Sequence, residues 1–153
     1  MAGVKFKITA KGFRSYKKAS QEVFNTVKDA MEDIKDDIVD TSESLAPHKT
    51  GKLEKSHRIR RNYKNLQNIS FTIAYSAMNK GFDYAEWTHN AKYNLGAGSR
   101  AKQPKKSRFS NTAFRVGRNY LGKVVDGTRK GRNEFIQHTI DRKMAYYWQH
   151  GKD

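Results

Sequence analysis

The chain has 153 residues, with 31 Lys and Arg against 15 Asp and Glu, a formal net charge of +16, 36% hydrophobic residues and no cysteine. That length suits a single domain around one core, and the lack of cysteine excludes disulfides and thiolate chemistry. No apolar run approaches the roughly 20 residues that span a bilayer, and Met1–Lys7 holds no signal core, so neither a membrane partner nor export is expected.

Residues 3–10 alternate, with Val4, Phe6 and Ile8 on one side and Lys5, Lys7 and Thr9 on the other, which predicts a half-buried strand. From Ser15 the period becomes helical. Tyr16, Ser20, Val23, Val27, Met31, Ile34, Ile38, Thr41 and Leu45 recur at three- and four-residue steps, predicting one long amphipathic helix that ends before Pro47. Thr50–Ser56 can form one helical turn, with Thr50 as its cap and Leu53 pointing inward. His57–Tyr63 and Ile69–Ser76 alternate again across a short polar link and predict an antiparallel hairpin. Tyr84–Trp87 begins a further strand or a helix edge.

Asn90–Thr112 is almost devoid of apolar residues and concentrates Gly, Ser and Lys, so it reads as a long, mobile basic loop. Tyr120–Val125, closed by Asp126-Gly127, reads as another strand. Asn133–Gln149 predicts a helix with Phe135, Ile136, Thr139, Ile140, Met144, Tyr147 and Trp148 on its face, Asn133 as its cap and Gly151 as its stop. The expected architecture is α+β: an antiparallel sheet of four to five strands, the long N-terminal helix across it, and a C-terminal helix nearby.

Charge is unevenly placed. Residues 13–46 hold five basic and eight acidic side chains, whereas 47–153 hold 23 basic and seven acidic. The basic part favours an anionic partner, and charge alone does not choose among nucleic acid, an acidic protein ring and a membrane surface. None of the five histidines forms a His-Glu-x-x-His motif or an i, i+4 helical pair, so no metal or other cofactor is expected. Glu86 and His89, beside Asp83, offer a carboxylate–imidazole pair, against which stands an ordinary structural hydrogen bond. A small metal-independent ribonuclease could be assembled from scattered Arg, Lys, His and Glu, but no motif marks its residues, and no catalytic activity is expected. A basic nucleic-acid-binding domain is the stronger alternative, because Arg100–Arg118 interleaves cations with Phe109 and Phe114.

One pattern is more specific. Ala46-Pro47-x-x-Thr50-Gly51-x-Leu53-x-x-Ser56 is followed by Tyr84-Ala85-x-x-Thr88. Together with the element order, it resembles the tail-completion, or head–tail joining, family of long-tailed bacteriophages. The second block departs from the family pattern, with Glu86 nearer to Tyr84 than usual and the following glycine missing. The resemblance implies a structural virion protein at the head–tail junction, made in the host cytoplasm. Its implied partners are tail-tube or tail-terminator subunits on one side and a head-completion or portal ring on the other, and the end of the packaged DNA is a further candidate. It also implies a monomer when free and a six-fold ring when assembled. The motif residues are expected to be structural. Partner contacts are expected from the basic loop, through Tyr93, Arg100, Lys102, Lys105, Lys106, Arg108 and Phe109.

Overall fold

A computed structural model of the chain describes residues 3–10, 21–65 and 68–150, without the side chains of 147 and 148. Strand β1 (Val4–Thr9) is followed by helix α1 (Gln21–Leu45), a single 3₁₀ turn (Glu54–Ser56), and strands β2 (His57–Asn65) and β3 (Asn68–Tyr75). A small hairpin of β4 (Met78–Asn79) and β5 (Phe82–Asp83) leads into α2 (Tyr84–Asn90). Helices α3 (Ala97–Arg100), α4 (Gly122–Gly127) and α5 (Arg129–His150) complete the fold.

The α+β class is as expected, with fewer strands in the sheet. β1, β3 and β2 form one antiparallel sheet in that order, and β4 and β5 pair separately. Tyr120–Val125 is no strand; it supplies a turn and most of α4. Tyr120, Leu121, Val124 and Val125 are all buried, and the spacing i, i+1, i+4, i+5 is helical rather than alternating. The C-terminal helix starts at Arg129, four residues before the expected cap. Buried Arg132 explains the early start: its guanidinium donates to the Val125 carbonyl (2.7 Å) and to Thr128 Oγ1 (3.0 Å), linking α5 to the end of α4. The expected start of the long helix at Ser15, Gly151, and the Tyr147 and Trp148 side chains lie outside the described residues.

Period-two alternation gives the sheet two different faces. Cross-strand partners lie on the same side, so Phe6–Ile73–Ile59 and Ile8–Phe71–Arg61 share the core face. The apolar stripe of α1 (Val23, Val27, Met31, Ile34, Ile38) is buried with Ile69, Phe71, Ile73 and Tyr75 in one cluster, to which Ile136 and Ile140 of α5 also belong.

A polar lock fixes the register of α1 on the sheet. Glu32 of α1 accepts from Arg61 Nε and an Arg61 terminal nitrogen (2.6 and 3.0 Å) and from Tyr63 Oη (2.8 Å), and it also pairs with Lys35 (2.5 Å). The Arg61 guanidinium, helped by Lys35 and Tyr63 and opposed by burial, holds the Glu32 carboxyl down to about 2.

A carboxyl whose pKa is lowered on folding stabilises the fold above its unfolded value of 4.5 and loses that contribution as pH falls toward 2. Because the carboxylate keeps some solvent contact, we expect about 1–2 kcal/mol of acid-labile stability from it. Urea titrations at stepped pH should show this slope between 4.5 and 2, and Glu32→Gln should flatten it. In the core, Ile38→Asp should cost more than about 3 kcal/mol in the same assay, since a charge would be buried without a partner.

Candidate functional site

The first motif block is built around the end of α1. Proline has no N–H, so Pro47 cannot donate to the Glu43 carbonyl four residues back. The Lys102 ammonium takes that place. It donates to the Glu43 carbonyl (2.8 Å), the Ala46 carbonyl (2.6 Å) and Glu54 Oε1 (2.5 Å), so its three hydrogens are all engaged. The Gly117 N–H donates to the Leu45 carbonyl (2.8 Å). Two distant segments thus satisfy the open end of α1, and the cation also opposes the negative end of the helix dipole.

Beyond Pro47 the chain turns through Gly51, whose φ of +78° is a backbone conformation that disfavours a side chain. Leu53 is buried in the core and Ser56 Oγ bonds the Leu53 carbonyl (2.7 Å). Thr50 is exposed and caps no helix; Leu53 occupies the cap position of the 3₁₀ turn without a side-chain bond. Glu54 accepts from both Lys102 and His48 Nδ1 (2.9 Å). Burial works against ionisation there, yet the bonds from Lys102 and His48 outweigh it and hold the carboxyl below its ordinary value. A second pair, His57 Nδ1 to Glu43 at 2.7 Å, lies on the last turn of α1.

The second block sits on α2. Asp83 caps that helix, its Oδ1 accepting from the N–H groups of Ala85 (2.9 Å) and Ala77 (3.2 Å) while Oδ2 accepts from Ser76 Oγ (3.0 Å). Ala85 and Thr88 are buried, and Tyr120 Oη bonds the Ala85 carbonyl (3.1 Å). His89 is buried rather than poised beside Glu86. Its Nε2 accepts from the Gly122 N–H (3.3 Å) and Nδ1 faces Asn90 Oδ1 (3.2 Å); burial pushes its pKa down, so the imidazole is neutral near pH 7. Glu86 is exposed. The structural hydrogen bond therefore replaces the suggested acid–base pair. Among the described residues no group of three or more His, Asp or Glu could hold a metal ion.

Pro47, Thr50, Leu53 and Ser56 of the first block line a groove together with Ala77 and with Tyr84 of the second block, about thirty residues on in sequence. At its edge stands the β4–β5 hairpin, whose turn residues Lys80 and Gly81 both have left-handed φ (50° and 81°), the geometry of a two-residue type I′ turn. The hairpin and α2 expose Met78 (59%), Phe82 (52%) and Trp87 (42%). Trp87 stacks between Tyr84 and Tyr93, with centroids 6.1 and 5.1 Å away and planes 23° apart in both pairs. Sequence reasoning missed Met78, Phe82 and Trp87. The available signal was Asn79-Lys80-Gly81 between two apolar residues, too short for any period to register.

The structure disperses the expected loop contacts. Tyr93 joins the aromatic stack, its hydroxyl donating to the Thr88 carbonyl (2.7 Å). Lys102 is spent on the helix end. Phe109 is buried against Phe135 (5.1 Å), and Phe114 is buried too, so neither ring is free to stack on a base. Gly131 of α5 allows that approach, since a side chain there would run into the Phe109 carbonyl. Arg108 lies over the Phe109 and Phe135 rings at 5.3 and 5.4 Å. Arg100, Lys105, Lys106 and Arg108 are exposed.

The loop is also bonded within the chain to the acidic α1. Ser107 Oγ and the Arg108 N–H both donate to Asp37 (2.5 and 2.8 Å), the Lys105 N–H donates to Ser44 Oγ (2.9 Å), and Lys105 Nζ lies 3.8 Å from Asp40. The segment lacks apolar anchors at most positions and is held by polar ones instead.

No protein-family model, no curated protein and no solved structure matches this chain. The described residues contain no helix long and apolar enough to cross a membrane.

Lys102→Met should cost about 2–4 kcal/mol in chemical denaturation, because two carbonyls and a part-buried carboxylate lose their donor together. Lys106→Met, at an exposed position nearby, should stay within about 0.5 kcal/mol of the parent.

Proposed function

We propose that this chain is a structural virion protein that completes the head-proximal end of a phage tail and joins it to the head. The observation that carries the reading is the groove that the first motif block forms with Tyr84 of the second, beside a hairpin and helix α2 that expose Met78, Phe82 and Trp87. Contiguous exposed apolar side chains of this size mark interaction surfaces, and aromatic anchors dominate their energetics. The occupant we assign is an adjoining subunit of the tail tube or tail terminator. Lys49 and Lys52 line the groove, so the complementary surface is an apolar pocket with an acidic rim. The opposite partner is a head-completion or portal ring, and assembly is six-fold from a monomeric free protein. The exposed loop cations Arg100, Lys105, Lys106 and Arg108 support contact with that ring.

The alternative of a nucleic-acid-binding domain draws support from a different surface, the outer sheet face described below. The ribonuclease alternative has less: His89 bonds the Gly122 N–H rather than Glu86, and Lys102 is spent on Glu54 and the helix-end carbonyls.

Combining Met78→Glu with Phe82→Glu should leave the fold intact, since both side chains are exposed, and should abolish joining. Electron micrographs of lysates would then show separate heads and tails, and infectious yield should fall by more than tenfold. Complete particles at parental yield would place the interface elsewhere.

A further inference from the structure

The strand register organises the cations of the sheet in a way that composition does not reveal. On the face turned away from α1, Lys5 of β1 and Arg58 of β2 both stand opposite Ala74 of β3, and Lys7 and Arg60 both stand opposite Thr72. The next row is Thr9–Ser70–Asn62. All four cations are exposed. None of them makes an ion pair with a described residue, and the rows contain no Asp or Glu. Arg61, on the same strand, is turned to the core face and neutralised by Glu32. The outward face is therefore selectively basic.

We propose that this face binds the phosphate backbone of duplex nucleic acid without reading its sequence. The two edge strands lie about 9–10 Å apart across β3, so two cation rows flank a shallow floor at half-buried Ala74 and Thr72. Along each strand the cations repeat every two residues, about 6.7 Å, close to one phosphate step of a nucleic-acid backbone. Thr72, Thr9 and Asn62 add accessible hydroxyl and amide groups able to bond phosphate oxygens. A protein partner would need apolar or aromatic anchors at the centre of its interface, and this face offers none. The lack of an aromatic platform equally disfavours single strands, which bind by stacking. Four like charges on one small sheet face repel one another, and a polyanion relieves that repulsion while releasing counterions. The site is separate from the hairpin surface and does not rest on the joining role.

The test is fluorescence anisotropy with a short random-sequence DNA duplex across a salt series. The variants are Lys5→Thr, Lys7→Thr, Arg58→Thr and Arg60→Thr combined, and a control of equal charge, Lys55→Thr, Arg118→Thr, Lys130→Thr and Arg142→Thr combined. We expect the sheet variant to lose at least tenfold in affinity at low salt, with its log–log salt slope smaller by about 3–4. The control should lose less than threefold. Circular dichroism verifies that both variants are folded, and if the fourfold change unfolds the chain, Lys7→Thr with Arg60→Thr serves, with the slope smaller by about 2. Equal losses in both variants would overturn the assignment, leaving only diffuse attraction. Polyglutamate binding that is as tight as DNA binding and lost with the same four residues would overturn it in favour of an acidic protein. A sheet variant that binds DNA as the parent does but aggregates would show that these cations only guard the sheet edges.

Discussion

A single ammonium group, Lys102 Nζ, holds together what Pro47 separates. Proline ends α1 sharply and leaves the Glu43 carbonyl without a backbone donor, in a place where the chain must turn toward the sheet. An unsatisfied carbonyl in a half-buried setting costs on the order of 1–3 kcal/mol, comparable to a sizeable fraction of a domain's net stability. Lys102 removes that cost and, in the same contact, binds Glu54 from the far side of the turn. The motif turn, the helix end and the segment around α3 are thus fixed by one residue. His48 completes the junction by exchanging bonds with Ser99, its N–H donating to Ser99 Oγ at 2.8 Å.

The distribution of charge follows from this arrangement. The acidic α1 is flanked by its own counterions: Arg61 from the sheet, Lys102 at its C-terminal end, and the loop bonded to Asp37. The described cations without an ion pair include Lys5, Lys7, Arg58 and Arg60 on the outer sheet face and Arg100 and Lys106 on the loop, with others, such as Lys55, Arg118 and Arg142, elsewhere on the surface. Part of the acidic charge of α1 is thus met within the fold, while most of the surplus behind the net charge of +16 stays exposed to partners. The apolar surplus, Met78, Phe82 and Trp87, stands apart on the hairpin and α2, and the two surfaces suit partners of different chemistry.

Periodic elements were legible in the sequence because their faces are buried in one direction. Val4–Ile8, the α1 stripe, the β2–β3 pair and the Phe135–Met144 face all appear where their periods placed them. Tyr120–Val125 was not, since a six-residue run with apolar pairs fits a buried strand and a helical turn equally well. The contacts of the 90–112 segment were not legible for another reason. Hydropathy registers apolar anchors, while this stretch is held by Lys102, Ser107 and the Arg108 amide reaching partners 48 to 71 residues away. Such contacts leave no local period. The motif blocks marked the groove but not the exposed hairpin beside it, whose two-residue strands are shorter than any pattern. Phe109 and Phe114 looked available for binding because their neighbours in sequence are polar, whereas their neighbours in space are α4 and α5.

The central claim, that Lys102 stands in for the donor Pro47 lacks, is most directly tested by a double-mutant cycle of Pro47→Ala and Lys102→Met read by urea denaturation. Alanine at position 47 restores an N–H able to reach the Glu43 carbonyl. The account predicts that losing Lys102 then costs about 1 kcal/mol less than it does with proline present. A cost that is the same in both backgrounds, within about 0.3 kcal/mol, would contradict it.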